Sequence, residues 1–168
     1  MINMLNMLNT HGAAIMTMQK INDGLDLATT GRSLPIALLR TREAVMDRFR
    51  PMLKTHGVTE QQWRIMRILR EAGPNEASQL AKIACVLGPS LSRIIKTLEG
   101  RKFIETLKDA RDGRKTHVKL TPAGDAFLRA LTPQSAAAFG DIVDRVGKDR
   151  IENLLNELNF VLEQLNDT

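Results

Sequence analysis

A chain of 168 residues with 43% apolar content buries a sizeable core, which excludes disorder as its default state. Its single cysteine, Cys85, excludes an internal disulfide and a multi-cysteine zinc site and fits a reducing cytoplasm. The net charge is +5, Tyr is absent, and one Trp and five Phe occur, so the core is drawn from Leu, Ile, Val, Ala and Met, a helix-favouring set.

Residues 1–32 read as an N-terminal tail. Met1 to Met18 lacks a basic leading region and has Asn and His scattered through it, unlike a signal peptide. No run reaches the roughly 18 apolar residues of a spanning helix, so no membrane partner is expected. Ser33 is placed to cap a first helix with Pro35 in its first turn, and Leu38, Leu39, Val45, Met46, Phe49 and Leu53 follow at helical spacing. This helix is predicted to run to about Lys54, with Pro51 kinking or ending it.

In "GVTEQQWRIMRILREAGP", Thr59 and Gln62 have capping-box spacing, Trp63, Ile65, Met66 and Leu69 form the apolar face, and Gly73-Pro74 stops the helix. Asn75 is expected to cap the next helix, with Leu80, Ile83 and Ala84 inward. Cys85 follows on its apolar side, where a buried core thiol is expected. After a break at Gly88-Pro89, Ser90 is predicted to cap a further helix with Leu91, Ile94, Ile95 and Leu98 inward and Ser92, Arg93, Lys96 and Thr97 outward. The period then changes to two, predicting strands over 103–108 and 115–120 joined by a turn with Gly113 available for positive φ. Thr121-Pro122 opens another helix to about Arg145, which Pro133 is expected to interrupt or bend. A last helix spans 148–165, where Ile151, Leu154, Leu155, Leu158, Val161, Leu162 and Leu165 make a stripe wide enough to bury against another chain.

Three short helices followed by a charged hairpin make a winged helix-turn-helix, a mainly α fold with a small β-hairpin wing and flanking N- and C-terminal helices. Residues 33–56 are the first helix, 57–121 the DNA-binding domain and 122–168 the dimerisation helices. Residues 90–120 hold nine Lys/Arg against four Asp/Glu, whereas residues 121–168 hold four against eight. A basic middle beside an acidic end suits a polyanion-binding part joined to one that avoids it. Such a helix enters the major groove and reads bases near its N-terminus, with Ser90, Ser92 and Arg93 near base edges and Lys96 and Thr97 near phosphate.

The succession of "GVTEQQWRIMRIL", the "SLSRIIKTLE" helix, the wing "DARDGR" and the exit "KLTPAG" resembles the MarR family of winged-helix transcriptional regulators over Leu34 to Gly124. With "LPIALLRTREAVMDRFRP" ahead of it, the chain is most similar to regulators of homoprotocatechuate (aromatic acid) degradation operons. The resemblance implies that Arg114 at the wing tip inserts toward the minor groove, beside Lys115, while Asp109, Arg111 and Asp112 brace the wing. It also implies a homodimer built from the N- and C-terminal helices as dimerisation helices, on a pseudo-palindromic double-stranded operator, with a repressor role as the commoner one. One departure is Lys102-Phe103 where the family usually has Gly-Leu, so a non-glycine takes a left-handed conformation there or Gly100 shifts the cap.

Family members commonly lose DNA affinity when a small aromatic acid binds between the dimer part and the reading head. A carboxylate wants a guanidinium fork and a phenyl ring an apolar slot. Arg40 and Arg42 on the first helix, His56 in the following turn, and Trp63 with Arg67 on the second helix are the candidates. The alternatives are Trp63 as core and the three arginines as surface or intersubunit ion pairs. An aromatic acyl-CoA thioester and oxidation at Cys85 are the other effector classes. No metal, cofactor or catalytic group is expected, because His11, His56 and His117 lack ligand spacing and neither a phosphate loop nor a nucleophile elbow occurs. A protein-binding module is the rival class, and salt separates the two.

Overall fold

The computed structural model describes residues 33–108 and 116–166. The chain divides into two compact units, one ending at Met46 and the other spanning Asp47–Thr168. Helix α1 covers Leu34–Thr55. In the first unit it begins with Ala37 N donating to the Ser33 carbonyl at 2.8 Å and leaves Leu34, Leu38 and Leu39 exposed.

In the second unit the end of α1 buries Phe49, Met52 and Leu53, and the helix continues four residues past Pro51. Helix α2 (Glu60–Ala72) starts at the expected capping box, with Gln62 N donating to Thr59 Oγ1 and Thr59 N to Gln62 Oε1. Trp63, Ile65, Met66 and Leu69 are buried, and Gly73 ends the helix at φ +75°.

Asn75 does not cap the next helix. Asn75–Glu76 is a short strand, β1, and the Asn75 amide donates to the Gly73 carbonyl. Helix α3 (Ala77–Ile83) follows. In its two turns Leu80 and Ala84, four apart, take the inward line, so Ile83 is 54% exposed rather than inward. Cys85 is exposed, not buried: it closes α3 with left-handed backbone at φ +50°. Cys85 N donates to the Lys82 carbonyl and Val86 N to the Ala81 carbonyl, a Schellman closure in which Val86, not Cys85, is the buried apolar anchor.

Helix α4 spans Gly88–Gly100. Gly88-Pro89 therefore begins this helix instead of breaking the chain, and Ser90 is its third residue, not its cap. A first-turn proline loses no helical hydrogen bond and has the φ the helix needs. Leu91, Ile94 and Leu98 are buried and Ile95 is half-buried. The helix closes through Lys102 at φ +60°, with Lys102 N donating to the Glu99 carbonyl and Phe103 N to the Leu98 carbonyl.

Strands β2 (Ile104–Lys108) and β3 (Thr116–Leu120) pair antiparallel with Thr106 opposite Val118, and β1 pairs on the other side of β3. The sheet is thus three-stranded, β1-β3-β2, where the hairpin alone was expected. Val118, in the central strand, is fully buried.

Thr121 caps helix α5 (Pro122–Val146), its hydroxyl accepting from Gly124 N. Pro133 does not interrupt α5. Arg48 on α1 and Arg145 on α5 both pair with Asp141, and the Arg145 hydrogen bond holds that carboxyl below its ordinary range. Helix α6 (Lys148–Asn166) buries no residue within the single chain. No described helix is long and apolar enough to cross a membrane.

Candidate DNA-reading face and effector cavity

Burial of Leu91, Ile94 and Leu98 orients α4 so that Ser92, Arg93, Lys96 and Thr97 share its exposed face, as the spacing requires; Ser90 is half-buried in the first turn. The Ser92 hydroxyl donates to the Gly88 carbonyl at 3.2 Å and the Thr97 hydroxyl to the Arg93 carbonyl at 3.0 Å. With those protons used inside the helix, the two hydroxyls offer lone pairs outward. Arg93 and Lys96 are the long cationic donors of this face.

Other residues hold α4 in place. Arg64 on α2 donates to the Ala84 carbonyl at 2.7 Å, satisfying an orphan acceptor at the end of α3. Glu99 on α4 accepts from the Thr106 hydroxyl at 2.6 Å, tying the helix to the wing strand. Across the wing, Lys119 pairs with Glu105 at 2.7 Å. Arg111, Arg114 and Lys115 lie outside the described residues, as do Asp109 and Asp112.

Arg101, just beyond α4, is a member of this frame that its charge alone does not reveal. It donates to the Gly57 carbonyl at 2.6 Å and the His56 carbonyl at 3.3 Å, at the turn after α1. Its guanidinium lies 4.6 Å from the Phe103 ring centre and 5.5 Å from that of Phe127, and these two rings stack at 4.5 Å. Gly124 lets α5 approach this junction: a Cβ there would stand 2.1 Å from the Phe103 carbonyl oxygen.

Between α2 and α5 is a cavity of about 700 Å³. Phe49, Trp63, Leu128, Leu131 and Phe139 supply its apolar wall, and Arg67, Arg70, Thr132 and Ser135 its polar groups. Trp63 is 8% exposed and stacks obliquely on Phe49 at 5.5 Å, so it is core and cavity wall together. The Arg67 guanidinium sits 5.1 Å from the Trp63 ring centre and pairs with Glu71 at 3.3 Å. Arg70 pairs with Asp125 at 3.0 Å, and Asp125 also holds Arg129 at 2.6 Å.

Of the predicted effector residues, the structure brings Trp63 and Arg67 together on this cavity. His56 is not among its lining residues; its Nε2 lies 3.2 Å from Gln134 Oε1 and its ring meets Phe127 edge-on. Arg40 and Arg42 belong to the unit ending at Met46, where both are exposed and Arg42 pairs with Glu43. The α5 lining went unread in the sequence, although Leu128, Leu131, Thr132, Ser135, Ala136 and Phe139 keep helical spacing. An interruption at Pro133 would have broken that stripe; the continuous helix keeps it whole.

The sequence profile of the MarR family matches residues 58–116. The homoprotocatechuate degradative operon repressor of Escherichia coli is 40% identical over 126 residues, covering 75% of this chain and 85% of that protein. The crystal structure of the transcriptional regulator PA4135 superposes with a TM-score of 0.77 at 38% identity, over 78% of this chain and 96% of its own. NadR in complex with 4-hydroxyphenylacetate gives a TM-score of 0.70 at 33% identity, over 81% of this chain and 94% of its own. With the winged helix-turn-helix in place and relatives of this identity matched over most of their length, the chain belongs to the MarR family of DNA-binding transcriptional regulators and is not an enzyme.

Proposed function

We propose that the protein is a homodimeric repressor of an aromatic-compound catabolic operon, released from DNA by a small aromatic acid. Residues 57–121 form the DNA-binding part, with Ser90, Ser92, Arg93, Lys96 and Thr97 of α4 in the major groove and Arg114 and Lys115 of the wing, braced by Arg111, on the adjacent minor groove and backbone. The α6 stripe supports the dimer, because Leu154, Leu155, Leu162 and Leu165 are all exposed in the single chain. Two copies then meet half-sites about 10 base pairs apart.

The observation that carries the effector reading is a guanidinium poised over an indole at the mouth of a mainly apolar cavity. Arg67 and Glu71 are 52% and 66% exposed, so their ion pair is weak and an incoming carboxylate replaces it at little cost. Arg70 is held more firmly by Asp125. A carboxylate on Arg67 places an aryl ring against Trp63, Phe49 and Phe139, and Thr132 and Ser135 offer partners for a ring hydroxyl. The 4-hydroxyphenylacetate bound by NadR is an acid of this shape. A ligand preferring a head spacing that cannot straddle successive grooves weakens DNA binding by its differential affinity for that state.

The test is binding to DNA upstream of the protein's own gene, with and without 4-hydroxyphenylacetate and related phenolic acids. Release is expected, and Arg67→Gln should blunt it while leaving DNA affinity unchanged. Retention of the DNA with every acid would overturn the effector reading.

A further inference from the structure

We infer that Leu87 is a base-reading residue, its isobutyl group packing against the C5-methyl group of a thymine in the major groove. Leu87 is the N-cap of α4, extended at φ −67° and ψ 143°, and makes no side-chain cap. The helices beginning after Thr59 and Thr121 are each capped by that threonine's hydroxyl. At 79%, Leu87 is the most exposed large apolar residue among the described ones. A lone exposed leucine is ordinary. Here two unfavourable choices coincide: a leucine where Ser, Thr, Asn or Asp would hold the first turn, and an apolar side chain left in water. Local rules broken together at one position, at the edge of a binding face, point to compensation by a ligand.

The chemistry of the neighbouring face selects that ligand. Ser92 and Thr97 have turned their hydroxyl protons into the helix, and Arg93 and Lys96 suit guanine edges and phosphates. Of these four only Thr97 carries a methyl that could meet thymine's distinguishing major-groove feature, its own methyl group, and it lies about three turns from the N-terminal end of the helix. The N-terminal end of a reading helix is the part nearest the base edges, and Leu87 occupies it. This inference rests on α4 being the reading helix.

The experiment selects binding sites from a randomised duplex pool with the wild-type protein, then replaces each thymine singly by deoxyuridine, which removes only the methyl. At one thymine of the selected site the wild-type affinity should fall about fourfold, the worth of one buried carbon, and Leu87→Ala should not sense the replacement. Leu87→Asn separates reading from folding: its side chain caps α4 and should raise the thermal midpoint, yet lose the thymine preference. Arg93→Ala on the same DNA tests the role of α4 itself. If no replacement distinguishes wild type from Leu87→Ala while Arg93→Ala binds weakly, the thymine contact is wrong and the reading helix stands. If neither variant changes binding, both are wrong.

Discussion

Lys102 and Cys85 occupy the left-handed position that ends a Schellman closure, at φ +60° and +50°. The same closure ends α1 with a glycine, Gly57, at φ +62°. A side chain in this conformation costs about 1 kcal/mol, because Cβ crowds the following carbonyl oxygen. Lys102→Gly is therefore expected to raise the unfolding free energy by roughly 0.5–1 kcal/mol in urea titration, without changing the denaturant slope. Gly124 is the opposite case: it is not at positive φ but lacks room, with the Phe103 carbonyl where a methyl would stand. Gly124→Ala has to push α5 away from the end of α4, and a loss of about 3 kcal/mol is expected in the same titration. These two residues lie on either side of Phe103 and give the "KLTPAG" exit its physical content: Thr121 N donates to the Phe103 carbonyl, and its hydroxyl donates to the Lys102 carbonyl at 2.7 Å.

At the scale of the elements, the angle of α4, the proposed reading helix, has to be fixed. Hydrogen bonds at three places fix it: Arg64 donates to the end of α3, Thr106 on the wing strand donates to Glu99, and Arg101 donates to the turn after α1. Arg101 faces carbonyls and aromatic rings, so its part is positioning. Arg101→Met keeps the apolar stem and deletes the donors; operator affinity is expected to fall several-fold while the slope of log affinity against log salt stays constant. A shallower slope would instead make Arg101 a phosphate contact. Most elements are legible in the sequence. Thr59 with Gln62, Thr121 with Pro122, and the change from period 3.6 to 2 after Arg101 are local signals, and each marks an observed boundary. The start of α4 is not legible, because Gly-Pro ordinarily signals a break, whereas its meaning depends on whether the proline falls in a first turn. Strand β1 left no signal at all, since two residues carry no period and pair only because β3 lies beside them.

For the molecule as a whole, charge and apolar surface are unevenly spread, with the basic excess around α4 and the wing and a cluster of exposed leucines, Leu154, Leu155, Leu162 and Leu165, on α6. Leu154→Glu with Leu162→Glu places carboxylates in the proposed dimer face. Sedimentation is expected to show a folded monomer, and operator affinity to fall at least tenfold once the two heads are unlinked. A variant that remained dimeric would move the interface elsewhere. The proposed effector residues divide in the same way between local and global information. That Trp63 and Arg67 share a face follows from their spacing of four along one helix, a property of the α2 segment alone. That Arg67 opens on a cavity while His56 turns to Gln134, and that Phe49, Ser135 and Phe139 complete the wall, depends on α1, α2 and α5 converging across more than 60 residues of chain. Helix type, the Thr59 and Thr121 caps and the paired hairpin strands were set within a few residues of sequence, because hydrogen bonds and side-chain periodicity act over single turns. The cavity, the strand β1 and the exposure of Cys85 were decided only by packing, because burial belongs to the assembled surfaces and not to any residue's own neighbourhood.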